Sequence, residues 1–362
     1  MKVSLFDTKV NESEEITKLF KKLLKNGQYV LGNNVNSFES SLGSYLNSKY
    51  VVGVNSGTDA IELSLKALGI KKGDYVITSG FTYFATIEAV HNVGAIPHIV
   101  DIDIETLQIN LDSIEKKFLN KAKFIIPVHL FGGYADIPKL MELSKNYELK
   151  IIEDVAQSFG TKYKDKHLGT FGDAGAFSFY PTKTLGSIGD AGAITTNNKS
   201  VYEDLLMLRN HGHIDRDNFK FAGRNSRLDE IQAMFLNLRL KNIDEEIKKR
   251  VEIANIYMNS LDSISNITFY NSVLETFNYF PITVQNLKER DDLVNHLNSR
   301  DIDTAIYYRK PLSDLTFDWI SKSSNFTNIN FVKDRILCLP LYPSLKMNKL
   351  KYTINTIKSF YK

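Results

Sequence analysis

The feature that most constrains the fold is an alternation, over residues 49 to 196, of short β-branched apolar runs with amphipathic stretches. Strands buried on both faces give this pattern when helices cover them. It predicts an α/β fold with a mostly parallel, seven-stranded sheet whose strands are joined by crossover helices. Strands are expected at 50–54, 75–78, 96–100, 124–128, 150–153, 174–179 and 192–195, and helices at 59–68, 82–93, 111–118 and 137–145.

The pattern changes after about residue 227. Residues 227–261 have the period of long helices with solvated charges, and the remainder mixes strand-like runs at 280–284 and 304–308 with helical patterns at 289–299 and 346–360. We therefore predict two domains. Residues 1–250 form a large domain with an N-terminal helical segment, and residues 251–362 form a small α+β domain.

Charge and cysteine content limit the possible partners. The chain has 45 basic and 42 acidic residues, which leaves no excess for binding nucleic acid or an anionic membrane surface. Its start has no signal-peptide pattern, and no stretch approaches the roughly 18 apolar residues that span a bilayer. Cys338 is the single cysteine, which excludes an internal disulfide. We expect a cytoplasmic protein whose partners are small molecules or further copies of itself, without a metal site.

The first of three chemically suggestive segments is NSGTDA at residues 55–60, where a predicted strand ends and a helix begins. Its small residues allow a ligand to approach the backbone, and the free N–H groups of a helix start favour an anion. Taken alone, the segment is explained more simply as a glycine turn with Thr58 or Asp59 as the helix cap.

The second segment, at residues 151–158, ends an apolar strand with Glu153 and Asp154 and places Gln157 three residues later. Ligands of open α/β sheets bind at the carboxyl ends of strands. One carboxylate could simply cap the following turn. Two acids followed by a glutamine fit a polar site better.

The third segment places Lys183 directly after an apolar aromatic strand and before the glycine-rich run at 186–192. Most lysines are solvated. A lysine in such a bend has less access to water, which lowers the pKa of its amine and makes the neutral form available to attack a carbonyl. The sequence therefore predicts a nucleophilic amine.

In this order, these segments resemble the DegT/DnrJ/EryC1/StrS family of pyridoxal-phosphate (PLP) sugar aminotransferases, a branch of the aspartate-aminotransferase fold (fold type I). The similarity covers most of the chain and includes Gly32 with Phe38-Glu39, NSGTDAI at 55–61, FTY at 81–83, PVHLFG at 127–132, EDVAQSFG at 153–160, FSFYPTK at 177–183, RNHG at 209–212 and GRNSRLDEIQ at 223–232.

The resemblance implies roles for four residues around the cofactor ring. Lys183 would hold PLP as a Schiff base and later act as the catalytic base, and Asp154 would pair with the pyridine nitrogen. A carboxylate there keeps the ring protonated, so that the ring absorbs the electron pair released by the substrate. Gln157 would contact the ring face or its phenolic oxygen, and Tyr83 would stack on the ring.

The resemblance also implies a phosphate site and a dimer. The phosphate would rest on the backbone of Gly57 and Thr58, with hydrogen bonds from the hydroxyls of Thr58 and Ser178. Asn225 matches a residue that reaches the phosphate from the neighbouring subunit, so the implied active unit is a homodimer with shared active sites.

The family's usual reaction passes an amino group from L-glutamate, through pyridoxamine phosphate, to a keto carbon of a nucleotide-linked hexose. The runs YPTKTLG at 180–186 and GDAG at 189–192 resemble the branch acting on dTDP-3-keto-6-deoxyhexoses, whose products serve surface glycans. Tyr180, Tyr307 and Tyr308 would then contact substrate. The alternatives are a C-4 aminotransferase for a UDP-linked 4-keto-6-deoxyhexose and a non-catalytic sugar-binding relative.

Two departures from the family pattern bear on the substrate. Gly133 stands where relatives commonly have glutamine, and Tyr307-Tyr308-Arg309 replaces a frequent His-Tyr-Pro. Both lie in segments expected near the sugar or the subunit contact. They affect the exact substrate rather than the cofactor chemistry.

Overall fold

The computed structural model describes residues 1–9 and 13–362. Its helices are α1 Ser13–Asn26, α2 Asn33–Leu46, α3 Gly57–Ala67, α4 Ala85–Asn92, α5 Lys116–Leu119, α6 Ile137–Tyr147, α7 Lys199–Leu208, α8 Glu230–Leu240, α9 Ile243–Leu261, α10 Leu287–Asn298, α11 Thr327–Lys333 and α12 Met347–Phe360. Its strands are β1 Tyr50–Val54, β2 Tyr75–Ser79, β3 Ile96–Val100, β4 Ala122–Ile126, β5 Lys150–Asp154, β6 Lys162–Tyr163, β7 Lys166–His167, β8 Ala174–Ser178, β9 Gly192–Thr196, β10 Thr268–Phe269, β11 Phe280–Thr283, β12 Ser321–Lys322 and β13 Ile336–Leu339.

The main sheet has the strand order β1-β9-β8-β5-β4-β2-β3-β12 within the described residues. Strand β9 runs antiparallel to both of its neighbours, and the other pairings are parallel. The predicted α/β class and mostly parallel sheet are confirmed. The predicted count of seven strands is too low by one, because β12, only two residues long and contributed by the C-terminal part, extends the edge beyond β3.

Apolar layers cover both faces of the sheet. One layer contains Phe38 and Leu42 of α2 together with Leu236 of α8, and the opposite layer contains Leu63 of α3 and Leu205 of α7. Each fully buried side chain of this size stabilises the fold by about 1.5–3 kcal/mol. Because helices cover both faces of the sheet, the strands carry apolar residues at nearly every position rather than alternating apolar and polar residues.

Two predicted elements are wrong. The expected helix at 111–118 is broken, because the Asn110 side chain accepts hydrogen bonds from the N–H groups of Asp112 and Ser113 and holds a tight 3-10 turn, after which Ile114 and Glu115 are extended. The expected strand at 304–308 is also absent from the described residues. Only Ala305 pairs with a strand there, through Cys338 of β13.

The C-terminal part is built on the antiparallel sheet β10-β11-β13. Its apolar cluster includes residues of α9, α10 and α12 and also takes in Val3, whose backbone pairs with Ile302. Helix α9 runs across the proposed boundary at residue 250. The division into domains 1–250 and 251–362 stays a proposal. None of the helices in the described residues has the length and apolar character needed to cross a bilayer.

Candidate active site

A cavity of about 570 Å³ lies at the carboxyl ends of β5 and β8. It receives side chains from the three sequence segments and from the C-terminal part of the chain. The residues predicted from sequence that line it are Gly57, Thr58, Tyr83, Asp154, Gln157, Ser178, Tyr180, Lys183, Tyr307 and Tyr308. The fold thus brings together groups that are up to 251 positions apart in sequence.

Asp154 is the last residue of β5, and its carboxylate is buried at the cavity floor. Thr86 Oγ1 donates a hydrogen bond of 3.0 Å to Oδ2, and the Ala156 N–H donates one of 3.1 Å to Oδ1. Burial raises the pKa of this carboxyl, and the two hydrogen bonds and the nearby Lys183 amine oppose that rise. The carboxylate is therefore fixed in orientation, and a cation beside it would stabilise its charged form.

Lys183 lies in the loop after β8, where its backbone N–H donates to the carbonyl of Tyr180 at 2.8 Å. Burial lowers the pKa of its amine to about 8, while the carboxylate of Asp154 acts in the opposite direction. About a tenth of the amine is consequently neutral at pH 7, against less than a thousandth for an ordinary lysine. This agrees with the nucleophilic amine expected from the sequence.

Glu153 does not belong to the site, which corrects the expectation that both acids would. Its side chain is fully buried, and its two oxygens accept hydrogen bonds from the N–H groups of Gly169, Phe171 and Gly172. His129 Nε2 lies 3.2 Å from the same carboxylate. Successive side chains of a strand point to opposite faces, so only one of the two acids can face the cavity.

Gln157 is held at both ends of its amide. The Phe131 N–H donates to Oε1 at 3.1 Å, and Nε2 donates to the Tyr308 hydroxyl at 3.0 Å. Tyr308 itself packs edge-on against Phe81, and burial raises the pKa of its hydroxyl well above the ordinary value. Tyr308, expected from the resemblance to contact substrate, therefore also fixes the orientation of Gln157.

The start of α3 presents free backbone donors. Ser56 is the helix cap, because its Oγ accepts from the Asp59 N–H at 3.1 Å, so neither Thr58 nor Asp59 fills that role. The N–H groups of Gly57 and Thr58 have no acceptor among the residues that the structure describes. A Cβ at Gly57 would lie 2.7 Å from the Ser178 Cβ, so the backbone and that serine form a cradle that only glycine permits.

Asn225 is the predicted site residue that the fold does not bring into this cavity. It is exposed, and its neighbours hold it at the surface beside α3. Ser226 Oγ donates to Asp59 Oδ2 at 2.7 Å, and Arg224 Nη1 lies 3.3 Å from Asp59 Oδ1. Within one chain, Asn225 is not among the residues that line the cavity.

The cavity also has lining residues that the sequence did not indicate. Thr86, which orients Asp154, lies one helical turn beyond the recognised FTY motif, so its position there is the signal that could have identified it. Phe6 and Tyr279 come from distant parts of the chain and lie in no motif. Only the tertiary fold places them at the site.

The donor set fits PLP. Free N–H groups and a serine hydroxyl at a helix start suit a phosphate, a buried carboxylate suits a protonated pyridine nitrogen, and a neutral amine suits an aldehyde. The cavity volume is within the range of pockets that hold cofactors. Ser178, Asp154 and Lys183 are therefore the residues that would hold the three ends of the group.

The chain is also similar to known proteins. A family model for the DegT/DnrJ/EryC1/StrS aminotransferases matches residues 10–358. The dTDP-3-amino-3,6-dideoxy-α-D-galactopyranose transaminase of Aneurinibacillus thermoaerophilus is 35% identical, over 96% of this chain and 95% of the relative. The UDP-N-acetyl-3-dehydro-α-D-glucosamine 3-aminotransferase of Acidithiobacillus ferrooxidans is 34% identical, over 95% and 93%.

Among solved structures, NtdA of Bacillus subtilis with bound PMP superimposes with a TM-score of 0.92 at 30% identity, over 99% of this chain and 85% of that one. The similarity thus extends over sequence, fold and a cofactor-bound relative. The chain belongs to the DegT/DnrJ/EryC1/StrS aminotransferase family and is a PLP-dependent aminotransferase of nucleotide sugars.

Proposed function

We propose that the enzyme transfers the amino group of L-glutamate to the C-3 keto group of a dTDP-3-keto-6-deoxyhexose. The product is a dTDP-3-amino-3,6-dideoxyhexose for surface glycan synthesis. The observation that carries transamination is the Lys183 amine, with its pKa lowered to about 8, in one cavity with the buried Asp154 carboxylate. Position C-3 is supported by two relatives whose names place the amine at carbon 3.

The proposed role of Lys183 is to move protons. Bound PLP supplies an electron sink for the pair released when a substrate C–H bond breaks. Lys183 Nζ would take the proton from the α-carbon of glutamate and pass it to the cofactor carbon, and in the second half of the cycle it would return a proton from that carbon to carbon 3 of the sugar. Its lowered pKa suits both directions, because the amine is a usable base and a usable acid near neutral pH.

Asp154 and Gln157 would orient and polarise the site. The carboxylate of Asp154, fixed by Thr86, stabilises positive charge at the cavity floor and so favours release of the substrate's electron pair. Gln157, fixed by Phe131 and Tyr308, would keep its amide in one orientation against the ring. Both groups are held before substrate arrives, so little reorganisation is needed during the reaction.

Substrate recognition would use the more open side of the cavity. Tyr180 is 51% exposed and Tyr83 is 66% exposed, so both present aromatic surface at the entrance. Tyr307 lies deeper, with its ring 4.8 Å from that of Tyr279. We assign Tyr180, Tyr307 and Tyr308 to sugar contact and Tyr83 to stacking on the cofactor ring.

The functional unit that we propose is a homodimer. Asn225 is exposed and lies between two residues, Arg224 and Ser226, that both contact Asp59 of α3, yet it does not line the cavity of its own chain. A second copy would supply it to the phosphate, which then has donors from both chains. A shared site would account for an exposed asparagine whose two neighbours are both anchored to α3.

The deciding experiment measures turnover with L-glutamate and a panel of dTDP- and UDP-linked 3-keto and 4-keto sugars. We expect turnover with the dTDP-linked 3-keto sugar, and an NMR spectrum of the product with the new amine at carbon 3. Turnover of only the UDP-linked 4-keto sugar would replace this proposal by the C-4 alternative. No turnover of any sugar, with intact cofactor binding, would favour the non-catalytic relative.

A further inference from the structure

A short segment of the C-terminal part, residues 275–279, packs against the loop that carries Lys183. We call it the strap. The N–H of Glu275 donates to the carbonyl of Gly132 at 3.0 Å, and the hydroxyls of Thr276 and Thr161 lie 2.9 Å apart. A Cβ at Gly132 would lie 2.4 Å from the backbone nitrogen of Phe277. The strap is therefore docked against the Gly132 backbone at a distance that only glycine permits.

Asn278 connects this anchored strap to the loop that carries the lysine. Its Oδ1 accepts two hydrogen bonds from Thr184, one from the backbone N–H at 3.0 Å and one from Oγ1 at 3.2 Å. Both side chains are 1% exposed. The residue directly after Lys183 is thus fixed by a side chain from the other part of the chain.

The nitrogen of the Asn278 amide makes no hydrogen bond, which indicates that the residue is present for its oxygen. Asn278 Nδ2 is buried and has no hydrogen-bond partner among the residues that the structure describes. Burying an unpartnered amide nitrogen is unfavourable. An apolar side chain of similar size would avoid that burial, but it could not accept the two bonds from Thr184.

We propose that Asn278 is a positioning residue for Lys183, acting through Thr184. This inference rests on the proposed role of Lys183. The Lys183 N–H is bound to Tyr180, and Asn278 fixes the next residue, so the backbone on both sides of the lysine is held. With its Cα fixed, the side chain delivers Nζ to the same point each time it moves between substrate and cofactor.

The first test is Asn278→Ala, measured in two ways. We expect kcat to fall about tenfold to hundredfold with KM for the sugar nearly unchanged, since small misplacements of a catalytic group have effects of this size. In the protein without cofactor, acetic anhydride labelling of Lys183 across pH, read by mass spectrometry, should have a midpoint near 8 for the wild type. The variant's midpoint should be higher, because a loosened loop admits water.

Two substitutions at Thr184 separate positioning from general damage. Thr184→Val removes one of the two bonds and should lower kcat, whereas Thr184→Ser keeps both donors and should restore it. The matched control is Thr283→Val. It removes a buried contact of 3.0 Å between the hydroxyls of Thr283 and Tyr270, which lies in the same part of the chain but away from the lysine loop. It should lower stability without moving the labelling midpoint.

The double variant Asn278→Ala/Thr184→Val should be no slower than Asn278→Ala alone, because both changes disrupt the same contact between Asn278 and Thr184. Fully additive losses would overturn the proposal, as would an unchanged labelling midpoint and kcat in Asn278→Ala. If that variant does not fold, the Val and Ser variants at position 184 decide the matter. Equal activity of those two would count against it. The catalytic role of Lys183 is tested separately with Lys183→Ala. If that variant keeps its activity, the proposed function fails, whereas the outcomes above concern only the contact between Asn278 and Thr184.

Discussion

The floor and the rim of the cavity are built differently. The floor, consisting of Asp154, Gln157 and their partners, is buried and hydrogen-bonded by groups of the same chain. The rim, formed by Tyr83 and Tyr180, is largely exposed. Chemistry that requires a fixed charge and a fixed amide is placed where water is excluded, because electrostatic interactions are stronger there. The open side leaves room for a large, polar sugar nucleotide, whose recognition we propose to lie there.

The comparison predicts that changes at the floor and at the lysine affect catalysis most, and that changes near the rim affect affinity. The largest effect is expected for Lys183→Ala. Loss of the amine removes the proton-transfer group, and kcat with L-glutamate should fall by at least about a thousandfold. Lys249→Ala, at an exposed lysine on α9, is the control and should leave kcat unchanged. Substantial turnover by the position 183 variant would place the catalytic base elsewhere.

Asp154→Asn should have the next largest effect. The amide keeps the size of the side chain but removes its charge, so positive charge at the floor is no longer stabilised. We expect turnover to fall about a hundredfold to thousandfold, as for the loss of a preorganised electrostatic group. Steady-state kinetics at saturating PLP measure this. Turnover close to that of the wild type would show that the floor charge is not required.

The pH dependence of the reaction of Lys183 with PLP tests whether water is excluded from the cavity floor. Because burial lowers the pKa of Lys183 to about 8, the amine is about half neutral at that pH and becomes almost fully neutral about one to two pH units above it. Covalent attachment of PLP to the cofactor-free protein, trapped with borohydride, should therefore slow about tenfold for each pH unit below 8. A rate that keeps rising to about pH 10 would indicate an ordinary, solvated amine.

Tyr308→Phe removes the acceptor for Gln157 Nε2 and leaves that group buried without a partner. The expected loss is about 1–3 kcal/mol in the free energy of unfolding, measured by urea denaturation. Tyr29→Phe, at a tyrosine that is 51% exposed, is the control and should have no measurable effect. Equal stability of the two variants would mean that the hydroxyl does not hold the glutamine.

Asn225→Ala should have the smallest effect on folding and act on affinity alone. The side chain is exposed in a single chain, so the free energy of unfolding of the monomer should not change. If the partner chain uses it to bind phosphate, the Kd for PLP should rise about tenfold, the size expected for one hydrogen bond to a charged group. An unchanged Kd would remove Asn225 from the shared site.

Local patterns predicted much of this molecule because buried strands and their carboxyl ends have characteristic sequences. Asp154 and Lys183 each follow an apolar run, and parallel neighbours place such residues at one edge. The sequence does not distinguish Glu153 from Asp154, since two adjacent acids look equivalent in sequence although a strand turns them to opposite faces. Strand β12 cannot be predicted from the sequence, because two residues show no periodicity.

The sequence by itself determined the mostly parallel sheet except for its edge strand β12, the order of those strands along the chain and the three segments that meet at the cavity, because each depends on residues close together in the chain. Only the tertiary structure decided that Thr86 orients Asp154, that Tyr308 holds Gln157 and that Asn278 reaches Thr184. These contacts join residues far apart in sequence. Their geometry depends on how the whole chain packs, and no local pattern encodes it.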